Sequence, residues 1–304
     1  MRATPRRTGE TVQDLAILCA ESGTVLLLTG LSPASSRGMR MVVFLASGDT
    51  YWFESPSPRA FDLVQWQTSG HERMRLACRV APVGEHVELR QDVVTAVDPR
   101  VPLSLDVAFA PTSPAVSLRN ANASDQIGAT TQYCRVSGFL ALGSVTYHLG
   151  GQAWWTTRSA TSEHDQCGVR LHAAFQDGSG LVATGGPSDG HDQLTAAALQ
   201  VGTTSTACSV HRLAVDGPER GPAHRVSCAL DGRPPVSAAG QIRNIDQHVA
   251  FVRPASVGGW LRVGYTPVDV VRSGVTGLGA VEQVVRVPTA SPLRGTHVDL
   301  PDPY

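Results

Sequence analysis

A chain of 304 residues, 42% hydrophobic and 17% charged, is long enough for two domains or one large all-β unit, and its 30 Gly and 20 Pro favour many turns over long surface helices. A formal net charge of -1 leaves no diffuse basic field, which excludes nucleic acid as an expected partner. All 25 basic residues are arginine, so Schiff-base lysine chemistry and the phosphate-gripping lysine of a P-loop are also excluded.

In chain order, the opening "MRATPRRTGETVQDLAILCAESG" carries Arg6-Arg7. Its apolar run, Leu15 to Ala20, is shorter than the roughly 7 to 15 residues of a signal core, and Leu18 before Cys19 is not the small residue of a cleavage site. No run approaches the roughly 18 apolar residues of a membrane helix, so a cytoplasmic protein is expected. From "GTVLLLTG" through "RMRLACRVAP", "LSLDVAFAP", "GVRLHAAFQDGSGLVATG" and "AHRVSCALDG" to "GAVEQVVRVP", short Val-, Leu- and Thr-rich runs recur between Gly, Pro, Asp and Ser. Their spacing of roughly 8 to 12 residues is that of antiparallel barrels or sandwiches. Thr11 to Ala20 and Asp192 to Gln200 are the two stretches that read as potential helices. Parallel α/β folds need a crossover helix between strands, so the chain reads as all-β. Polar Ser159 to Gln166 marks the expected boundary between an N-terminal domain (1-160) and a C-terminal one (161-304), and the last residues read as a tail.

Gly186, Ser188 and Gly190 match the G-x-S-x-G elbow of α/β hydrolases, but the chain upstream is strand after strand, so a Gly-rich turn is the better reading. His164-Asp165 and His191-Asp192 fit no metal-ligand spacing. The six cysteines contain no C-x-x-C and read as buried thiols. Asn122 opens a glycosylation sequon, which has no bearing without a secretory signal. With no nucleotide fingerprint and no ligand cluster, neither cofactor nor metal is expected. The aromatic residues sit in or beside strand runs, where core packing is their ordinary role. Trp154 and Trp155 are adjacent, so they face opposite sides of a strand: one lines a cavity while the other seals a barrel or meets the neighbouring domain.

Three segments resemble the carotenoid 1,2-hydratase (AttH-like) family, to which lipocalin-like Diels-Alderases are related. In "ESGTVLLLTGLSPASSRGMRMVVFLA", Glu21 and Thr29-Gly30 fall in register. In "VSGFLALGSVTYHLGGQAWWTTR", Val136, Gly138, Gly143, Tyr147, Gly150 or Gly151, Trp155 and Arg158 do so, and in "SGVTGLGAVEQVVR" the matches are Gly277, Gly279 and Glu282. The resemblance implies two tandem lipocalin-like (calycin) antiparallel β-barrels acting on a hydrophobic small-molecule substrate. Where the hydratase pattern has Asp-His, this chain has Gln152-Ala153, and neither can protonate an alkene. The remaining Trp and Arg suit a shaped apolar pocket with a few polar anchors.

The expected function is therefore a cofactor-independent cyclase, a [4+2] pericyclase of a polyene or polyketide intermediate in natural-product biosynthesis. A polyene or terpenoid hydratase or isomerase is the alternative, and a lipophilic carrier a third. Candidate catalytic residues are Arg158, Glu21, Glu282 and Tyr147, and candidate substrate-binding residues are Trp52, Trp66, Tyr133, Trp154 and Trp155. Trp155 and Arg158 are expected to share a pocket at the domain junction, although three residues of regular strand would turn them to opposite faces.

Overall fold

The structure is a computed structural model that describes residues 11–31, 39–55, 62–68, 71–83, 87–90, 101–119, 128–159, 167–185, 196–217, 223–231, 235–244, 247–254 and 259–287. Within them every regular element is a strand, and no helix is long and apolar enough to cross a membrane. The G-x-S-x-G turn, both His-Asp pairs, the sequon, most of the expected boundary and the tail lie outside the described residues.

The first half forms β1 (Thr11–Cys19), β2 (Thr24–Leu31), β3 (Met39–Phe44), β4 (Thr50–Ser55), β5 (Asp62–Thr68), β6 (His71–Val83), β7 (Val87–Arg90), β8 (Val101–Pro111), β9 (Val116–Arg119), β10 (Gly128–Leu142) and β11 (Val145–Ser159). The second half forms β12 (Gly168–Phe175), β13 (Gly180–Gly185), β14 (Ala196–Val201), β15 (Thr204–Cys208), β16 (Val210–Asp216), β17 (Arg225–Leu230), β18 (Val236–Ile242), β19 (Val249–Pro254), β20 (Trp260–Arg272) and β21 (Val275–Val287). The first sheet has ten strands; β5 and β9 are side branches, and the other eight close into a ring in the order β11-β1-β2-β3-β4-β6-β8-β10 because β10 also pairs β11. The second runs β15-β14-β13-β12-β21-β20-β18-β17-β16, with β19 beside β20, and curls until β16 meets β13. β7 leaves the first half to pair in parallel with β19 of the second sheet, Val87 opposite Val249. The result is all-β: one closed and one nearly closed antiparallel barrel in tandem.

The two stretches read as potential helices are strands. Thr11–Cys19 is β1 and Ala196–Val201 is β14. Each is buried on both faces, which removes the apolar-polar alternation that betrays a strand. Leu15, Ile17 and Cys19 point into the first barrel while Ala16 and Leu18 point at the second; Ala197 points into the second barrel and Ala196 and Ala198 point out of it.

Three cores result. One fills the first barrel, where the Trp155 ring meets Phe109 edge-on at 5.1 Å. One fills the second, around Phe175, Leu181 and Val268. The third lies between the barrels, where Trp154, Tyr133, Trp52 and Phe44 of the first pack on Phe251, Tyr265, Val263 and Leu278 of the second. The Trp154 indole donates to the Ala173 carbonyl at 3.1 Å and the Tyr133 hydroxyl to the Ser179 carbonyl at 3.0 Å, so both large side chains carry their polar atoms across the seam.

One polar cluster interrupts this seam. Arg170 on β12 donates to Glu282 on β21 at 3.0 Å and to Asp14 on β1 at 3.4 Å, and Asp14 also accepts from the Gly30 amide at 3.2 Å. Beside them His172 is buried, its Nδ1 without a hydrogen-bond partner among the described residues. Burial first, and the Arg170 charge second, push the His172 imidazole down to about 3 against the opposing pull of Asp14.

Two outcomes test this account. Trp155→Ala should cost about 3 to 5 kcal/mol in denaturant unfolding, because it empties the middle of a closed core. His172 is neutral when folded but takes up a proton below about pH 6.5 when unfolded, so stability should fall as pH drops from about 6.5 toward about 3. Denaturant midpoints measured across that window should fall less steeply in His172→Leu than in the native chain; equal slopes would show that His172 titrates freely in the fold.

Candidate functional site

The wall made by β10, β11 and β1 presents its outward residues in rows. Thr131, Thr156 and Asp14 form the first, then Tyr133, Trp154 and Ala16, then Arg135, Gln152 and Leu18. Thr131 and Thr156 share a hydrogen bond of 3.1 Å and are buried, and the second row is sealed against the other barrel. At the third row the barrels diverge, and a half-open cleft of about 630 Å³ begins. Its first-barrel side is Leu18, Tyr133, Val136, Arg135, Gln152 and the glycine pair Gly150-Gly151, with Glu21 on the β1–β2 turn at the rim. Its second-barrel side is Phe175 and the β12–β13 turn, Gln176 to Gly178. That volume suits a drug-sized ligand, and the side chains exposed to it are mainly polar, Arg135, Gln152, Gln176, Asp177 and Glu21, set among glycines and Ala20.

Local geometry fixes these walls. A side chain at Gly151 would sit 2.5 Å from the Leu18 carbonyl oxygen, so β1 and β11 approach there only because the residue is glycine. At Gly150, which faces the cleft, an added Cβ would meet nothing within 4 Å. The hydroxyl end of the Tyr133 ring packs against Gly180, where an added Cβ would overlap it. Its ring centroid is 4.6 Å from that of Trp154, and burial raises its hydroxyl far above the ordinary phenol range, so it remains a neutral hydrogen-bonding group. Asp177 accepts from the Ser179 amide at 3.0 Å and from Arg272 at 3.0 Å. Burial would raise that carboxyl, but the Ser179 hydrogen bonds and the Arg272 charge outweigh it and hold the group below the ordinary carboxylate range. Arg272 also stacks over Phe175, 5.1 Å from its ring centre, and so ties the turn to the cleft wall.

Of the residues singled out from sequence, Glu21 and Tyr133 line this cleft and Trp154 packs directly behind Tyr133. Glu282 sits in the Asp14-Arg170 cluster, farther along the seam. Trp52 is in the inter-barrel core, 5.2 Å from Phe251. Trp155 and, partly buried, Tyr147 belong to the first barrel's own core. Trp66 on β5 pairs Arg73, and Arg158 at the end of β11 pairs Val12 and Ala129, but the side chains of both lie outside the described residues. Leu18, Arg135, Phe175 and Asp177 were not anticipated. The signal for Arg135 was present: two residues from Tyr133 on one strand, it shares that residue's face.

No protein-family model matches the chain, and no curated protein matches it in sequence. Its fold is similar to a protein from Nitrosomonas europaea described as AttH, at 14% identity and TM-score 0.55 over 93% of this chain and 96% of that one. It is also similar to kievitone hydratase from Nectria haematococca, at 10% identity and TM-score 0.52 over 93% and 90%. A third likeness is to CghA solved with Sch210972, at 11% identity and TM-score 0.52 over 91% and 89%. At these identities the likeness establishes the fold, a tandem pair of lipocalin-like barrels.

Proposed function

We propose that the chain is an enzyme that binds an elongated apolar molecule in the inter-barrel cleft and closes a ring in it without a cofactor, a cyclase of a polyene or polyketide intermediate whose simplest chemistry is a [4+2] closure. The observation that carries this reading is the cleft itself: about 630 Å³ between the two barrels, closed beneath by the buried side chains of Leu18 and Tyr133 and lined on its open sides by Ala20, the glycine pair, Arg135, Gln152 and the β12–β13 turn. A pericyclic closure transfers no proton and needs no nucleophile. It needs the chain of the substrate folded so that its reacting ends touch, and such positioning is worth roughly 7 to 11 kcal/mol. Tyr133, buried between Gly180 and Trp154, holds the closed end of the cleft rigid, so that the shape a polyene meets there is fixed. Kievitone hydratase and CghA with Sch210972 share this architecture, which supports a small-molecule reading.

A hydratase or isomerase is the second reading, favoured by the Glu21 carboxyl at the cleft rim. It ranks lower because Gln152, the cleft residue standing where the hydratase pattern has an acid, has no proton to give. In either reading Trp52, Tyr147 and Trp155 act as frame rather than as contacts.

Incubation of a linear polyene polyketide with the protein should yield cyclised product faster than buffer does. Gly150→Phe, at a position on the cleft where an added Cβ meets nothing within 4 Å, should reduce turnover by at least about tenfold, more than about 1.4 kcal/mol of barrier, at an unchanged melting temperature. Hydrated product would select the second reading, and binding with product at the buffer rate would make the protein a carrier. Turnover should also survive exhaustive chelation; loss that added metal restores would overturn the cofactor-free mechanism.

A further inference from the structure

We propose that Arg135 is the anchor for an anionic oxygen head group, so that the cleft selects apolar chains ending in an acidic function, a carboxylate or an enolate, and holds them in one direction. This rests on the reading of the cleft as the ligand site and adds to it the substrate class and its orientation.

The argument begins with how the cleft distributes its charge. Arg135 lies on the outer face of β10, two residues beyond Tyr133, exposed and on the cleft lining. It is the one cation among the described lining residues, and no ion pair engages it there. Asp177 on the opposite wall is no counter-charge for it, because that carboxylate is already held by Ser179 and by Arg272. The remaining charged lining residue, Glu21, is at the far margin. Leu18 stands two strands away from Arg135, about 10 Å at the ordinary strand spacing, and Glu21 lies three residues farther on, in the β1–β2 turn. The cleft is therefore cationic at the β10 margin and anionic at the β1–β2 margin, with Gln152 and the glycine pair between them. An acidic head is attracted at one end and repelled at the other, which fixes which way a chain lies.

Gln152 completes the donor set. It pairs with Arg135 across β10 and β11, and its amide nitrogen reaches toward the β12–β13 turn, 4.0 Å from where a Cβ on Gly178 would sit. A guanidinium and an amide N–H on paired residues of one wall suit the two oxygens of a carboxylate or of an enolised dicarbonyl.

The test uses cis-parinaric acid, a conjugated tetraene fatty acid that fluoresces on leaving water, together with its methyl ester. The full-length native protein should bind the acid about tenfold more tightly than the ester, a gap of about 1.4 kcal/mol, and the gap should shrink with added salt, as expected for a solvent-facing charge. Arg135→Glu should abolish the preference for the acid while leaving the affinity for the ester within about twofold, and Arg135→Lys should keep part of it. Gly150→Phe should weaken both probes together. Equal binding of acid and ester by the native protein, or a preference that survives in Arg135→Glu, overturns the assignment of Arg135 while the effect of Gly150→Phe still upholds the cleft. Indifference of both probes to Gly150→Phe, or no binding of either, overturns the cleft and the anchor together.

Discussion

The pleat of three neighbouring strands governs this molecule. Along β10, β11 and β1, alternate residues serve different cores. Cys134, Val136, Ala153, Trp155, Leu15 and Ile17 face into the first barrel, while Tyr133, Trp154, Ala16 and Leu18 face the second. A slip of one residue would exchange the two sets and bury Arg135 and Gln152 in the barrel while pushing Trp155 into the seam. The adjacent tryptophans are the sharpest expression of this constraint. One closes a barrel, its neighbour docks that barrel on the next, and neither can take the other's place.

The seam is specified by polar geometry as much as by apolar area. Asp14 comes from one barrel and Arg170 and Glu282 from the other, so only one docking of the barrels satisfies all three. Buried pairs of this kind contribute little net stability once desolvation is counted. Leaving one member unpartnered is costly, however, and that cost disfavours any shifted docking. The backbone carbonyls of Ala173 and Ser179, which receive Trp154 and Tyr133, act in the same direction. So does β7, which leaves the first half of the chain to pair with β19 of the second. With the barrels fixed in one relation, the divergence beyond the second row of the wall has a constant shape.

Much of the fold was legible in the chain. Alternation with turn residues at short intervals marked most strands, and the opposite orientation of Trp154 and Trp155 followed from adjacency alone. What misled was burial on two faces. "LAILC" and "AAALQ" have no polar side to reveal a strand period, and only the second barrel, distant in sequence, makes them strands. The site was harder to see, because it is made of the outsides of two barrels. Glu21 and Tyr133 were recognisable, but Arg135, Phe175 and Asp177 acquire meaning only when residues 130–152 and 175–178 are brought together. Aromatic content proved a poor guide to the pocket, since Trp52 and Trp155 are spent on packing.

That division of labour explains why the open space lies between the barrels. An eight-stranded barrel is just wide enough either to be filled by its own side chains or to hold one small molecule. Here the interior of the closed barrel is taken by Trp155, Phe109, Met41, Met74 and a set of leucines, and the second barrel is likewise packed around Phe175 and Leu181. Each barrel is thereby a solid body with a stiff outer surface. A cleft between two such surfaces keeps its shape. Its contour is set by where side chains are forbidden, at Gly151 and Gly180, and where one is simply missing, at Gly150. The outward residues of β10, β11 and the β12–β13 turn can therefore vary without disturbing either core, because the tryptophans that hold the fold face elsewhere.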